Sequence, residues 1–81
     1  MTKKAIFEMF CEMYNNGSHQ SYEVTRSFAQ IDEDNETIRI RVLNDKEDCF
    51  YHIEAVARIA QGLDLSAYAR IKDDKIEIIV H

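Results

Sequence analysis

The stretch from Asn44 to Gly62 constrains the fold of this chain more than any other. It begins with amide and acidic side chains that suit a helix N-terminus, and it ends on a glycine. Between them, apolar residues recur at the spacing of one helical face: Cys49, Phe50, Ile53, Val56, Ala57 and Ala60. We predict one amphipathic helix with Asn44 or Asp45 as N-cap and Gly62 as the left-handed residue at its end. Glu54 and Arg58 predict an ion pair on its polar side.

The segments on either side of this helix predict the remaining elements. Thr2 suits the N-cap of a first helix that runs to about Asn15 and is apolar around much of its girth, which predicts burial between layers or partial exposure to a partner. The pattern elsewhere alternates with the period of a strand, in segments 21–31, 37–43, 67–71 and 75–80. The order is therefore α-β-β-α-β-β. We predict a single α+β domain over residues 1–81, a two-layer sandwich whose four-stranded, mainly antiparallel sheet carries both helices on one face.

Composition narrows the classes of function. Fifteen acids against ten bases give a net charge of −5, which favours a partner protein with a basic surface over a general nucleic-acid binder. No apolar run approaches 18 residues, so we expect no membrane span. Two cysteines without a convincing signal peptide predict a reducing cytoplasm.

Motifs for metal or catalytic chemistry are incomplete. Asp32-x-Asp34-x-Glu36 resembles the start of a calcium loop, but Thr37 stands where the sharp turn needs glycine. Cys49 and His52 lie three residues apart, yet the sequence shows neither a Cys-x-x-Cys pair for zinc nor an orienting group for catalysis. We predict no enzyme activity, no metal site and no cofactor.

The first surviving feature is the crowding of acids into predicted turns. We predict that these carboxylates bind the partner protein: Asp32, Glu33, Asp34, Glu36, Asp73 and Asp74. Spaced carboxylates can imitate phosphates and dock on the basic groove of a nucleic-acid-handling protein. Small inhibitors from phages and mobile elements, anti-CRISPR proteins among them, share this size and charge. The alternative is that the acids only solvate two turns.

The second feature is a set of arginines in predicted strands: Arg39, Arg41 and Arg70. They suggest an alternative function, a nucleic-acid-binding module that contacts phosphates through one sheet face. We favour instead their pairing across strands with Glu23, Glu77 and neighbouring acids. No aromatic residue interleaves with the arginines on the strand over residues 37–43, so stacking of single-stranded bases is not indicated. A third alternative is a homodimer, or an assembly subunit, formed through sheet edges or the first helix.

Overall fold

The structure of the protein is a computed structural model that describes residues 1–17, 27–42 and 49–81. The predicted class and order of elements are confirmed. The elements are α1 (Lys3–Asn15), β1 (Ala29–Asp32), β2 (Thr37–Arg41), α2 (Cys49–Gly62), β3 (Ala67–Lys72) and β4 (Lys75–Val80). The fold is a small α+β arrangement of two helices against a four-stranded sheet.

The sheet has the strand order β1-β2-β4-β3, and every neighbouring pair is antiparallel. The last strand in sequence therefore lies between β2 and β3. Because β2 and β3 are each antiparallel to β4, they run parallel to one another, and α2 makes the crossover between them. This order brings residues of β2 and β3 onto the two flanks of β4.

One face of the sheet packs on the helices. The register pairs Ile38 with Val80 and Ile40 with Ile78, so four fully or nearly fully buried side chains form the middle of this face. The helices cover it with Phe7, Phe10, Tyr14, Val56 and Ala60. The burial of apolar surface on this face is the main stabilising contribution to the fold.

Helix α1 begins as predicted. The Thr2 hydroxyl accepts a hydrogen bond from the Ala5 backbone N–H at 3.1 Å, which satisfies one of the unpaired amides of the first turn. At the other end, Asn15 forms two bonds with the backbone of Ala29. Its side-chain oxygen accepts from the Ala29 N–H at 2.7 Å, and its amide donates to the Ala29 carbonyl at 3.3 Å. The end of α1 is thereby fixed to the start of β1.

The predicted end of α2 was wrong by two residues. Gly62 remains helical, and the left-handed residue is Asp64 at φ 57°. The Leu65 N–H donates to the Ala60 carbonyl at 2.8 Å, and the Asp64 N–H donates to the Gln61 carbonyl at 3.3 Å. These two bonds are those of a Schellman motif. Satisfying these carbonyls favours a helix end after Gly62 with Leu63 as the C-cap, although Asp64 lacks the conformational freedom of glycine.

The predicted buried face of α2 was also displaced. Phe50 is 73% exposed and Ile53 is partly exposed, whereas Val56 and Ala60 are buried as expected. His52 is buried instead, with 2% of its surface exposed. A helix with apolar residues over so wide a stripe can rotate about its axis, and the contact that His52 makes with α1 selects the observed orientation.

Several sequence predictions lie outside the described residues, including the N-cap at Asn44 or Asp45 and most of the strand predicted over residues 21–31. Of that strand, Ser27 and Phe28 are described and are not part of the sheet, so the prediction was wrong for these two positions. The second hairpin is confirmed, since β4 has its predicted bounds and β3 extends one residue further, to Lys72.

Candidate binding surfaces

Asp32, at the end of β1, stabilises the turn that follows it. Its carboxylate accepts from the Asn35 backbone N–H at 3.3 Å, from the Asn35 side-chain amide at 2.8 Å and from Arg39 at 3.0 Å. These bonds hold the pKa of Asp32 below its ordinary value, with the Asn35 side chain having the largest effect, despite the opposing effect of desolvation. Only 16% of the Asp32 side chain is exposed. It therefore shapes the β1–β2 turn rather than offering a free charge.

The other three acids of this turn are exposed. Lys4 lies 3.9 Å from Glu33 and Lys3 lies 3.9 Å from Glu36, and each of these side chains is more than half exposed. Exposed pairs of this kind contribute at most about 1 kcal/mol, so a partner's cations can displace the lysines. Asp34 makes no ion pair with any described residue. We call Glu33, Asp34 and Glu36 the acidic turn.

The second group of acids lies in the β3–β4 turn. Asp73 and Asp74 are both exposed, and both have left-handed backbones, at φ 53° and 63°. They form a two-residue loop between Lys72 and Lys75, which pair directly across the hairpin. Two successive positive φ values are those of a type I′ turn. The lysines on either side balance the charge of this pair.

The two groups of acids lie at opposite ends of the sheet. β2 starts from the first turn, and its residue Ile38 pairs with Val80 at the end of β4. The second turn, in contrast, precedes the start of β4 at Lys75. At about 3.4 Å per residue, β4 separates the turns by roughly 17 Å. The fold therefore does not join all six predicted partner-binding residues into one surface.

The predicted arginines lie on the sheet face opposite the helices, which we call the open face. Side chains alternate along a strand, so Arg39 and Arg41 lie on the opposite side of β2 from its buried isoleucines. The register places Arg41 beside Glu77, and Glu77 beside Arg70. Arg41 is exposed and has no ion pair among the residues that the structure describes. All three arginines thus share one face.

The predicted cross-strand pairing is confirmed for Arg39 and Arg70. Arg39 bonds to Asp32, and Arg70 donates to Glu77 Oε1 from both Nε, at 2.8 Å, and Nη2. Glu77 is 1% exposed. Its burial alone would raise its pKa, but the hydrogen bonds from Arg70 and the charges of Arg70, Lys72 and Arg39 outweigh that effect and hold the pKa below its ordinary value. Glu77 is therefore an ionised carboxylate that positions Arg70.

The open face contains a pocket of about 390 Å³, and we call it the open-face pocket. Its lining is Asp32, Asn35, Thr37, Arg39, Tyr68, Arg70, Lys72 and Ile79. Sequence reasoning missed Tyr68 and Lys72, which alternate with Ala69 and Ile71 and so share the face of Arg70. The absence of an aromatic residue from the strand of Arg39 and Arg41 did not exclude an aromatic neighbour on another strand. Tyr68 pairs with Ile79, which pairs with Arg39, so β4 brings the ring near an arginine that is 29 residues away in sequence.

His52, which was considered above for catalysis, is buried and makes a hydrogen-bond contact. Its Nδ1 lies 2.7 Å from the Tyr14 hydroxyl, and this contact joins α1 to α2. Burial raises the pKa of Tyr14 well above its ordinary value. Cys11 packs beside the core, and burial, with a smaller effect from Glu8, raises the pKa of its thiol. The Cys49 side chain lies outside the described part of the chain.

Among the described residues, no three His, Cys, Asp or Glu side chains come together as a metal site requires. Neither described helix is both long and apolar enough to cross a bilayer.

The sheet edges are β1 and β3, and β3 is exposed throughout, with Ile71 at 80%. A homodimer through this edge stays a prediction.

Comparison of the chain with protein-family models, with curated proteins and with solved structures finds no match.

Proposed function

We propose that this protein is a non-enzymatic interaction module that binds a partner protein with a basic surface through the acidic turn. The observation that carries the proposal is the exposure of Glu33, Asp34 and Glu36 on one short turn whose shape Asp32 fixes. A fixed turn loses little conformational entropy when it binds. The net charge of −5 adds a long-range attraction to a basic partner.

The class of partner that we propose is a nucleic-acid-handling protein with a basic groove. The acidic turn lies at one end of the sheet, so it can enter a groove that is too narrow for the rest of the domain. Its carboxylates then take the places of backbone phosphates. In that role the protein is an inhibitor of the kind that phages and mobile elements encode, and anti-CRISPR proteins are the group that we propose first.

Binding rather than catalysis is supported by the position of His52. A general base must reach a substrate proton, and it must stay free to take that proton up. Here the His52 side chain is buried between the helices, with its Nδ1 bonded to the Tyr14 hydroxyl. The exposed acids have no such enclosure, and they suit recognition of charge at a surface.

The proposal is tested by capture of partners from nuclease-treated host lysate on three immobilised proteins. These are the natural chain, the acidic turn variant with Glu33→Gln, Asp34→Asn and Glu36→Gln, and a control variant. The control removes the same three charges from exposed helix positions: Glu8→Gln, Glu12→Gln and Glu54→Gln. Both variants have the same net charge, so only the place of the lost charges differs.

We expect one protein with a basic surface to be retained by the natural chain and by the control, and to be lost from the acidic turn variant. Its retention should weaken as salt rises, because exposed charge contacts are screened. Equal retention by both variants would refute the assignment of binding to the acidic turn. Loss from the control alone would transfer binding to the helix surface.

A further inference from the structure

We propose that the open-face pocket binds a nucleotide, with the phosphate held by Arg39, Arg70 and Lys72 and the base stacked on Tyr68. This inference goes beyond the protein partner, because it uses the opposite sheet face and a ligand of different chemistry. The ligand is a nucleotide phosphate, either free or at the end of a single strand.

Carboxylates hold the two arginines of the pocket in place before any ligand binds. Arg39 uses one nitrogen for Asp32, and Arg70 uses two for Glu77. A guanidinium has five N–H donors, so both arginines keep donors for a phosphate. The two carboxylates fix the planes of the guanidiniums, which reduces the entropy lost when a phosphate is bound in the planar, forked geometry that arginine favours.

The charge around the pocket differs from that of the whole chain. Three cations line it, Asp32 pairs with Arg39 and the buried Glu77 pairs with Arg70, so one positive charge, that of Lys72, is left uncompensated in a protein whose net charge is −5. Lys72 supplies a third cationic group, and it makes no ion pair with any described residue. The acidic remainder of the surface repels a long polyanion at a distance, whereas a single nucleotide meets only the local positive charge. A small ligand therefore fits this arrangement better than a duplex.

The apolar part of the pocket suits a base rather than a bare anion. Ile79, 5% exposed, lies between Arg39 and Tyr68 in the register. Tyr68 is half exposed, and its ring contacts that of His81 at 60° with centroids 5.8 Å apart. Any of the nucleobases can stack on such an aromatic side chain, because each has a flat π-face. The volume of about 390 Å³ is within the range of small-ligand sites, about 300–1,000 Å³.

Glu77 provides an independent observation at the same place. Its Oε1 accepts both bonds from Arg70, while the buried Oε2 has no hydrogen-bond partner among the described residues. A buried carboxylate oxygen without a partner costs free energy, so its presence in a folded protein calls for an explanation. The arrangement is explained if Glu77 holds Arg70 in the orientation that a phosphate needs.

The test is a titration of the full chain, followed by the shifts of its backbone amides in two-dimensional NMR at low salt. The probes are inorganic phosphate, thymidine 5′-monophosphate and a short oligothymidylate. The variants are Lys72→Gln, Tyr68→Leu and the control Lys75→Gln. Lys75 lies directly opposite Lys72 and carries the same charge, but it does not line the pocket. The spectrum of each variant also shows that it is folded.

We expect the nucleotide to shift amides of β2, β3 and β4 around the pocket. Lys72→Gln should weaken both phosphate and nucleotide roughly tenfold, because it removes a charged donor. Tyr68→Leu should weaken the nucleotide roughly tenfold and leave phosphate unchanged, since only the base stacks. Tighter binding of the oligothymidylate than of the monophosphate assigns the site to the end of a strand, and weaker binding assigns it to a free nucleotide.

Any of four outcomes would overturn the proposal. The first is the absence of amide shifts with every probe, and the second is a set of shifts away from the open face. The third is an effect of Lys75→Gln equal to that of Lys72→Gln, which would mean that general surface charge holds the probe. Equal affinity of the natural chain and Tyr68→Leu for the nucleotide would also refute it, since the base would then have no place in the pocket.

Discussion

Replacing Tyr14 by phenylalanine tests how the two helices are held together. The change removes only the hydroxyl that lies 2.7 Å from His52 Nδ1, and both residues are buried. His52 Nδ1 would then lose this partner in the core. Losing one partner of a buried hydrogen bond costs about 1–3 kcal/mol, because that bond no longer offsets the desolvation of the group that remains. In a domain of 81 residues, each 1 kcal/mol lowers Tm by roughly 4–8 °C.

The measurement is urea unfolding at neutral pH followed by far-ultraviolet circular dichroism, together with a thermal scan. The control is Tyr51→Phe, which removes a hydroxyl from an exposed side chain of α2. We expect Tyr14→Phe to lower the midpoint with an unchanged denaturant slope, and Tyr51→Phe to change stability by less than about 0.5 kcal/mol. Equal stability of the two variants would refute the structural role of the Tyr14–His52 contact.

Alkaline pH provides a second signature of the same contact. The pKa of Tyr14 is raised on folding, so its stabilising contribution is complete below the ordinary tyrosine pKa of about 10 and is lost as pH rises towards the folded value. Above pH of about 10 the unfolded chain releases this proton while the folded chain retains it, and the natural protein loses roughly 1 kcal/mol by pH of about 11 from this group. Tyr14→Phe lacks this loss. The difference in stability between the two proteins should therefore narrow over that interval, and a constant difference would contradict the burial of Tyr14.

Three further changes test other parts of the fold by the same unfolding measurement. Gly62→Ala should raise stability by up to about 1 kcal/mol, because Gly62 is helical and a Cβ there meets nothing within 4 Å; a loss of stability would mean that the helix ends before it. Asp64→Gly should add a few tenths to about 1 kcal/mol by relieving the left-handed backbone at φ 57°, and a decrease would contradict that conformation. Glu77→Gln should destabilise the protein at neutral pH. Since folding lowers the pKa of Glu77, its contribution is present above the ordinary value of about 4.3 and is lost below it, so the natural protein and the variant should converge in acid.

The sequence predicted most of the elements because their patterns are local. Alternation identified β4 with its bounds, and the Asp73–Asp74 loop between two lysines identified the second hairpin. Thr2 identified the start of α1. The strand order could not be derived in this way, because the insertion of β4 between β2 and β3 depends on tertiary pairing.

The errors have a common physical origin in side chains with two possible environments. Phe50 was assigned to the core on its hydrophobicity, and His52 was considered for chemistry on its functional group, yet Phe50 is exposed and His52 is buried. The hydroxyl of Tyr14 is a buried hydrogen-bond partner of His52, and nothing in the spacing of α2 reveals a partner on another helix. Tyr68 was missed although its alternation with Arg70 on β3 is a local signal, and only its proximity to Arg39 depends on β4.

The central claim is that the acidic turn occupies a basic surface in place of nucleic acid. The most direct measurement is a competition between the natural chain and nucleic acid for the captured partner, with the control variant measured in parallel. We predict that nucleic acid releases the protein, that the protein releases nucleic acid, and that the control variant behaves as the natural chain does. A stable complex that contains partner, protein and nucleic acid together would contradict the claim.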